Sequence, residues 1–173
     1  EGKMIAVLSS NYSQLQKVIN DNSDSIVIAN YNSKKQTILS GENDEIDLIS
    51  KIFKSNSIRT ISLNVSGAFH SNLMISAEHL LKKHITKLNF RDISKPLYQN
   101  YNPSKQYNSN NIKHNLIKQI TSPVKWIDII NNMYSDSINN FIEVGPGSTL
   151  TKLNKNINSD IICTNFNKLS MTL

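Results

Sequence analysis

One histidine of this chain stands where catalytic histidines are often found, between the end of a predicted strand and the start of a predicted helix. It is His70, and the residues around it, 66–71, read Ser-Gly-Ala-Phe-His-Ser. In parallel sheets, ligands bind in the crevice at the carboxyl ends of the strands, and the loops there often carry function. Because the pKa of an imidazole lies near neutrality, this side chain can act as a general base. A loop histidine that only caps the next helix is the alternative.

The other histidines and the cysteine give no comparable signal. His79 and His84 lie five residues apart on one predicted helix, so they do not share a face as a metal-binding i, i+4 pair would. His114 lies in a lysine-rich segment, and we expect solvated or structural roles for all three. Cys163 is the only cysteine, which excludes a disulfide within the chain and a zinc site built on cysteines. No metal site is predicted.

A glycine-rich turn at residues 145–147, Gly-Pro-Gly, precedes a predicted helix. Such a turn could hold a phosphate at the amino terminus of the helix. It lacks both the Gly-x-x-x-x-Gly-Lys-Ser/Thr spacing and a Gly-x-Gly-x-x-Gly run. A tight turn that packs the helix onto its strand is therefore favoured.

The first 65 residues alternate between strand and helix signals. Short apolar runs predict strands at residues 4–8, 26–29 and 37–39 and a fourth that begins at Ile61. Helical spacing of apolar residues predicts one helix from Asn11 and a second at about 42–54, and residues 30–35 are expected to form a polar turn. The order is β-α-β-β-α-β, the ferredoxin-like arrangement. We therefore expect residues 1–65 to form a small subdomain.

Residues 66–173 show longer helices separated by isolated strands, which predicts an α/β core with a parallel sheet covered on both faces. Ser71 is expected to cap a helix that runs to about Leu88, with its leucines turned toward a core (Leu73, Leu80, Leu81 and Leu88, together with Ala77). Ser122-Pro123 predicts the start of a later helix. The remaining predictions are short strands at 96–98, 141–144 and 161–163, a loop at 100–111 and a helix at about 112–120.

The charge pattern argues against several classes of protein. The formal net charge is +6 and comes almost wholly from lysine, since Arg59 and Arg91 are the only arginines. Arginine is the usual reader of bases, and the two middle strand candidates carry no aromatic residue on which bases could stack. Nucleic-acid binding is therefore not expected. No apolar run reaches the roughly 18 residues that span a bilayer, so no membrane segment is expected either.

Four stretches of the chain resemble the malonyl-CoA:acyl-carrier-protein transacylases. Residues 65–74, Val-Ser-Gly-Ala-Phe-His-Ser-Asn-Leu-Met, resemble the catalytic-histidine motif of that family. Gln119 with residues 122–126 is similar to its Gln-x-x-x-Pro-Val-x-Trp segment, and residues 141–147 to its Glu-Val-Gly-Pro-Gly turn. Residues 30–33, Asn-Tyr-Asn-Ser, resemble its Asn-Phe-Asn-Ser segment, although two lysines replace the usual Pro-Gly that follows. The resemblance runs along the whole chain in the same order.

The resemblance implies a fold and a reaction. The fold would be a ferredoxin-like βαββαβ subdomain followed by the carboxyl-terminal part of an α/β-hydrolase-like core. The reaction would be malonyl transfer from coenzyme A to acyl carrier protein in fatty acid biosynthesis through a serine ester, with malonyl-CoA as substrate and no cofactor. His70 would be the general base, and a backbone carbonyl at Gln119 would orient it. Phe69 would crowd an α-methyl group and so favour malonyl over methylmalonyl, and Asn30 and Asn32 would lie near the substrate cleft.

The chain departs from the family in what it lacks. The family's Gly-His-Ser-x-Gly-Glu nucleophile motif is absent from these residues, as are its amino-terminal glutamine motif and the arginine that pairs with the malonyl carboxylate. In the family all three precede the position that matches Glu1. We therefore expect a carboxyl-terminal portion that is inactive alone, with the missing half of the enzyme as a possible partner beside acyl carrier protein.

Two other assignments of the chain are open, and its composition points to a cellular location. The chain could instead belong to the acyltransferase domain of a polyketide or large fatty acid synthase, or be a non-catalytic ferredoxin-like binding module. Its lysine- and asparagine-rich composition is similar to that of proteins of AT-rich protozoa such as malaria parasites, where this pathway resides in a plastid, the apicoplast. Composition and resemblance together predict a plastid location, with a cytoplasmic one as the alternative.

Overall fold

The first part of the chain folds into a four-stranded antiparallel sheet with two helices. A computed structural model describes residues 2–9 and 11–169. The strands are β1 (Gly2–Leu8), β2 (Val27–Ser33), β3 (Gln36–Glu42) and β4 (Arg59–Ser62), in the sheet order β2-β3-β1-β4. Helix α1 (Tyr12–Asn22) follows β1, and helix α2 (Asn43–Ser55) follows β3. The predicted ferredoxin-like order of elements is confirmed.

The two faces of this sheet have different coverings because side chains alternate along each strand. On β1, Ile5 and Val7 point into a buried cluster with Leu39 of β3 and with residues of both helices, among them Phe53. The alternate residues, Met4 and Ala6, form a second buried cluster on the opposite face with Ala29 and Ile38, and Phe69 packs onto it. The helices therefore cover one face, and the segment that holds His70 lies over the other.

The second part of the chain is mainly helical. After a 3-10 turn at Asn72–Met74 come α3 (Ile75–Ile85), α4 (Ser109–Lys118) and α5 (Trp126–Ser135), then β5 (Asn140–Glu143), α6 (Thr149–Ile157), β6 (Ile162–Asn165) and α7 (Phe166–Leu169). Strands β5 and β6 pair in parallel, with Asn140 opposite Ile162. Ile130, Ile161 and Cys163 form the buried centre of this part. The alternation of strand and helix is as predicted, and Ile142 and Ile162 of the described sheet are 59% and 61% exposed.

A short backbone bridge joins the two parts. The Tyr31 amide donates to the carbonyl of Val124 at 2.9 Å, and the Val124 amide donates to the carbonyl of Ala29 at 2.8 Å. Asn30 and Val124 thereby form a parallel bridge. Val124 is held beside β2, which fixes the segment between α4 and α5 relative to the four-stranded sheet.

Two predictions in this region were wrong. Residues 30–33 were expected in a polar turn but continue β2, and the turn is confined to Lys34 and Lys35. Ser122-Pro123 was expected to begin a helix, yet α5 begins at Trp126. Pairing with β3 keeps residues 30–33 extended, and the hydrogen bonds of Val124 with Ala29 and Tyr31 hold the chain extended just before α5.

The helix expected from Ser71 to Leu88 differs in both its bounds and its buried face. Ser71 does cap the 3-10 turn, since its hydroxyl accepts from the Leu73 amide at 3.2 Å, but α3 ends at Ile85. Leu73, Leu80 and Leu88 are 48%, 59% and 57% exposed, so the prediction that they face the core is wrong. The residues of α3 that are buried are Glu78 and Ile85. Helix α3 packs against α4, and this contact uses the face that carries the glutamate.

Three smaller boundaries also shift. Helix α4 begins at Ser109, not near 112, because the Asn108 side chain accepts from the amides of Asn110 and Asn111 and caps it there. The strand expected at 96–98 is a single bridge between Leu97 and Gln106, and the last strand, expected at 161–163, spans Ile162–Asn165. Among the residues that the structure describes, no helix is long and apolar enough to cross a membrane.

Candidate active site around His70

His70 lies in a tightly bonded loop that leads out of the four-stranded sheet. The Ser71 hydroxyl donates to the carbonyl of Ala68 at 2.6 Å, and Ala68 itself is buried. His70 has a backbone φ of +62°, a left-handed conformation that costs a residue with a Cβ roughly 1–2 kcal/mol. Ser71, and not His70, caps the turn that follows. The loop therefore holds His70 in an unfavourable backbone conformation with its side chain free for another role.

Two consecutive carbonyls at the end of α4 hold His70. Its ring Nδ1 lies 2.7 Å from the carbonyl oxygen of Gln119, and its backbone amide donates to the carbonyl of Ile120 at 3.0 Å. A carbonyl can only accept, so the hydrogen of the neutral ring must be on Nδ1. This assignment leaves a lone pair on Nε2. The half-buried ring is therefore set to accept a proton at Nε2.

The Gln119 carbonyl is available because it lies at the carboxyl-terminal end of a helix. The last carbonyls of an α-helix have no partner within the helix. Gln119 is the C-cap residue of α4, and its own amide donates to the carbonyl of Asn115. Its side chain points elsewhere, since its Oε1 accepts from the Asn100 amide group at 3.4 Å. Gln119 thus offers its backbone to His70, while its side chain joins a second group of amides.

These amides line a small cavity of about 250 Å³ beside Gln119. The side chain of Asn115 donates to that of Gln99 at 3.0 Å, and Gln99 in turn donates to the Ile112 carbonyl at 3.2 Å. The Lys125 amide donates to the carbonyl of Asn100. These hydrogen bonds tie the segment at 99–100 to α4 and to the start of α5. Sequence reasoning missed this group, because scattered amides in a loop give no periodic signal.

Phe69 and Asn30 lie on the same face of the four-stranded sheet. Phe69 packs onto the buried cluster that includes Ile38, and Asn30 is the residue opposite Ile38 in the pairing of β2 with β3. Directly opposed residues of an antiparallel pair point to the same side of the sheet. Asn32 is engaged within the hairpin, where its side chain donates to Gln36 at 3.0 Å. The structure therefore joins His70 to Gln119 and brings Phe69 and Asn30 to one face, while the side chain of Asn32 bonds within the hairpin.

A larger cleft of about 420 Å³ lies next to the bridge between the two parts of the chain. Its lining includes Tyr12 and Tyr31, whose rings lie 5.9 Å apart, together with Lys125 and Asp128. Burial and the hydrogen bond with Tyr31 raise the pKa of the Tyr12 hydroxyl. Neighbouring residues of a strand point to opposite faces, so Asn30 points away from the side of β2 on which Tyr31 lines this cleft.

A buried carboxylate that sequence reasoning also missed lies behind the end of α4. Glu78 is 6% exposed. It accepts from the Lys118 ammonium at 2.8 Å and from the Thr121 hydroxyl, and these two hydrogen bonds hold its pKa below the usual range. The signal in the sequence was its position: Glu78 stands at helical spacing from Leu81 and Ile85, where a core residue is expected.

The Gly-Pro-Gly turn is a structural turn, as favoured above. Glu143 precedes it, and its carboxylate accepts from the amides of Leu150 and Thr151 at 3.0 and 2.9 Å. The Thr151 hydroxyl and these amides hold the pKa of Glu143 below its usual value. The side chain of Asn165 donates to the carbonyl of Gly145 at 3.2 Å. The carboxylate thus occupies the first turn of α6, where a phosphate would otherwise bind.

The other three histidines lie outside this arrangement. His79, His84 and His114 are exposed, and the ring of His114 meets the edge of Tyr101 at 5.9 Å between centroids. Within residues 2–9 and 11–169, no three His, Cys, Asp or Glu side chains are close enough together to hold a metal ion.

Comparison with known proteins places this arrangement in a family. The profile of the acyl transferase domain family matches residues 1–161. A Synechocystis protein named malonyl CoA-acyl carrier protein transacylase is 33% identical over 168 residues, which are 97% of this chain and 56% of that protein. A Bacillus subtilis protein of the same name is 33% identical over 162 residues, 91% of this chain and 51% of that protein.

The structural comparison agrees. The crystal structure of the malonyl-CoA:ACP transacylase of Synechocystis sp. matches with a TM-score of 0.89 and 31% identity, and the match covers 98% of this chain and 58% of that one. The chain therefore spans a little more than half the length of the relatives that it matches.

Proposed function

The chain belongs to the acyl transferase domain family, and we propose that it supplies the general base for malonyl transfer from coenzyme A to an acyl carrier protein. That base is His70. The observation that carries the proposal is the 2.7 Å contact of its Nδ1 with the Gln119 carbonyl, which leaves Nε2 as the proton acceptor. The names of the similar Synechocystis and Bacillus proteins support malonyl-CoA and acyl carrier protein as the two substrates.

The proposed reaction has two half-reactions. In the first, Nε2 of His70 takes the proton of a serine hydroxyl, and the serine oxygen attacks the malonyl thioester carbonyl. The carbon–sulfur bond breaks, and the departing thiolate of coenzyme A receives the proton from His70. In the second, the phosphopantetheine thiol of the carrier protein gives its proton to Nε2 and attacks the ester carbonyl. The bond between the acyl carbon and the serine oxygen breaks, and the departing serine oxygen receives the proton from His70. The serine is proposed to come from outside residues 1–173.

A carbonyl partner suits this cycle. In a Ser-His-Asp triad, a carboxylate fixes the tautomer of the histidine and stabilises the imidazolium that forms. The Gln119 carbonyl, at the negative end of the α4 dipole, does both with a partial charge. It therefore fixes the tautomer without placing a full negative charge beside the ring.

Phe69, Asn30 and Asn32 are proposed to contribute to substrate selection. A phenyl ring at Phe69, next to the base, would crowd the α-methyl group of methylmalonyl. Steric rejection of one methyl group is worth only about 1–3 kcal/mol, so we expect a preference and not an absolute block. Asn30 is proposed to lie near the substrate because it shares the face of the sheet onto which Phe69 packs. Asn32 is proposed on the family resemblance.

We also propose a division of the chain into two parts and a location in the cell. We divide the chain into a ferredoxin-like subdomain at residues 1–65 and a part of the α/β core at 66–173, which is supported by the separate hydrophobic clusters around Phe53 and around Ile130. A plastid location is proposed on composition and family, and imaging of the tagged full gene product tests it.

Intact-mass spectrometry with malonyl-CoA tests the proposed function. The chain is measured alone and together with the serine-bearing segment of the Synechocystis relative. We expect no adduct on the chain alone and a malonyl ester on the serine-bearing segment only when both are present. An ester that forms at the same rate without residues 1–173, or with the His70→Ala variant, would contradict the proposal.

A further inference from the structure

The buried carboxylate of Glu78 binds two residues that stand on either side of the carbonyls that hold His70. Its Oε1 accepts from Lys118 at 2.8 Å, and its other oxygen accepts from the hydroxyl of Thr121. Between these two partners in the chain lie Gln119 and Ile120. The carbonyls of those two residues receive the ring Nδ1–H and the backbone N–H of His70.

We propose that Glu78 is a positioning residue of the proposed acyl transfer and that it acts through the end of α4 to fix the tautomer of His70. The proposal rests on the proposed function of His70. Glu78 comes from α3, some forty residues away in sequence from both of its partners. It therefore clamps the end of α4 from outside that helix. The structure shows its bonds to Lys118 and Thr121 and none to the ring, so it is not a catalytic residue.

The end of α4 needs such a clamp, because few helical hydrogen bonds hold its last residues. The Gln119 amide still donates to the Asn115 carbonyl at 3.0 Å, whereas the Thr121 amide makes only a long bond of 3.3 Å to the carbonyl of Lys118. The last turn of a helix is the part that frays first. Here that turn must hold two carbonyls at the distances that the loop of His70 requires. A displacement of about 1 Å in such a group costs on the order of 100-fold in rate.

Burial makes the clamp hard to release. Glu78 is 6% exposed, so its charge depends on its two partners and not on water. Lys118 is partly exposed, with 41% of its side-chain surface accessible, and Thr121 is half-buried. Loss of either bond leaves a buried carboxylate oxygen without its partner. The predicted consequence is that the segment 118–121 shifts and the two carbonyls move together.

The test is the tautomer of His70, measured by ¹⁵N NMR on this chain. In the unaltered protein we expect Nδ1 protonated and Nε2 unprotonated in the neutral ring, with the His70 amide protected from exchange. Glu78→Gln and Thr121→Val should shift the ring toward a mixture of tautomers and speed exchange of the His70 amide at least tenfold. Thr121→Ser keeps the hydroxyl and should retain the original pattern.

Glu143→Gln is the matched control. Like Glu78, Glu143 is a buried carboxylate that accepts several hydrogen bonds. Its partners are the first amides of α6 and not residues of α4. We expect Glu143→Gln to leave the tautomer and exchange of His70 unchanged. If instead Glu78→Gln and Thr121→Val fold and keep the original tautomer and protection, or if Glu143→Gln disturbs them equally, the proposal is overturned.

The two variants keep the test decisive. If Glu78→Gln fails to fold, Thr121→Val decides the question, since it removes a hydroxyl and no charge. The readout does not require acyl transfer. The two claims can therefore fail separately. If the tautomer of His70 depends on Glu78 but acyl transfer proceeds without His70, the proposed function is refuted and the positioning of His70 by Glu78 still holds.

Discussion

The charge of Glu78 gives the chain a pH-dependent stability that one substitution should remove. Glu78→Gln keeps nearly the same shape and loses the charge. The hydrogen bonds from Lys118 and then Thr121 lower the pKa of Glu78 in the folded protein. A carboxyl group whose pKa is lowered by folding adds stability above its unfolded pKa of about 4.5. That contribution is lost as the pH falls through the lower, folded pKa.

The expected loss of unfolding free energy follows from how far Glu78 and Lys118 are buried. Removal of one partner of a fully buried ion pair costs about 3–5 kcal/mol. Here Lys118 remains 41% exposed on its side chain and can be hydrated when Glu78 is neutral, and glutamine still offers one acceptor. We therefore expect Glu78→Gln to lower the free energy of unfolding by about 1–3 kcal/mol at pH 7.

Urea denaturation at several pH values between 7 and 3.5 measures the effect. The difference in unfolding free energy between the unaltered chain and Glu78→Gln should be constant from pH 7 to about 5.5 and shrink below about 4.5. Asp47→Asn, which removes an exposed pair with Lys3 at 2.6 Å, should cost no more than about 1 kcal/mol. A Glu78→Gln difference that stays constant down to pH 3.5 would refute the account of this pair.

Three further outcomes are expected. Phe53→Ala alters the fully buried centre under the four-stranded sheet and should lower the free energy of unfolding, measured in urea, by about 3–5 kcal/mol. Leu48→Ala, on the exposed side of α2, should change it by less than about 0.5 kcal/mol. Equal losses in the two variants would contradict the assigned core. Phe69→Ala should raise the kcat/KM for methylmalonyl-CoA relative to malonyl-CoA by roughly 5- to 150-fold, and an unchanged ratio would remove Phe69 from the specificity argument. Glu143→Gln should speed hydrogen exchange of the first amides of α6, and full protection in that variant would show that the carboxylate is not the cap.

The order of elements could be predicted because it depends on local periodicity. A short apolar run marks β1, and apolar residues recur at helical spacing in α1 and α2, so the βαββαβ order follows from residues close in sequence. The part of β2 at residues 30–33 could not be found in this way. Its residues are polar, and it is held as a strand by its pairing with β3 and by the hydrogen bond from the Tyr31 amide to Val124, more than ninety positions away.

Within the candidate site, too, some residues could be predicted from the sequence and others could not. His70 stood out by its place between strand and helix, and the resemblance to a family named Gln119 as its partner. Glu78 was hidden, because a charged residue on a helix indicates a solvated face unless its partners are known. Leu80 of α3 is the converse case: it is 59% exposed although its helix has a buried face, since the packing of α3 on α4 selects the face that carries Glu78.

The most direct measurement is the rate of malonyl transfer to an acyl carrier protein with His70 replaced by alanine. The serine-bearing segment is supplied as in the mass-spectrometry experiment, and His114→Ala, which alters an exposed histidine, is the control. A general base contributes typically about 10²- to 10⁴-fold, so His70→Ala should lose at least 100-fold while His114→Ala keeps its rate. Transfer by His70→Ala at the rate of the unaltered chain would contradict the assignment of His70 as the base.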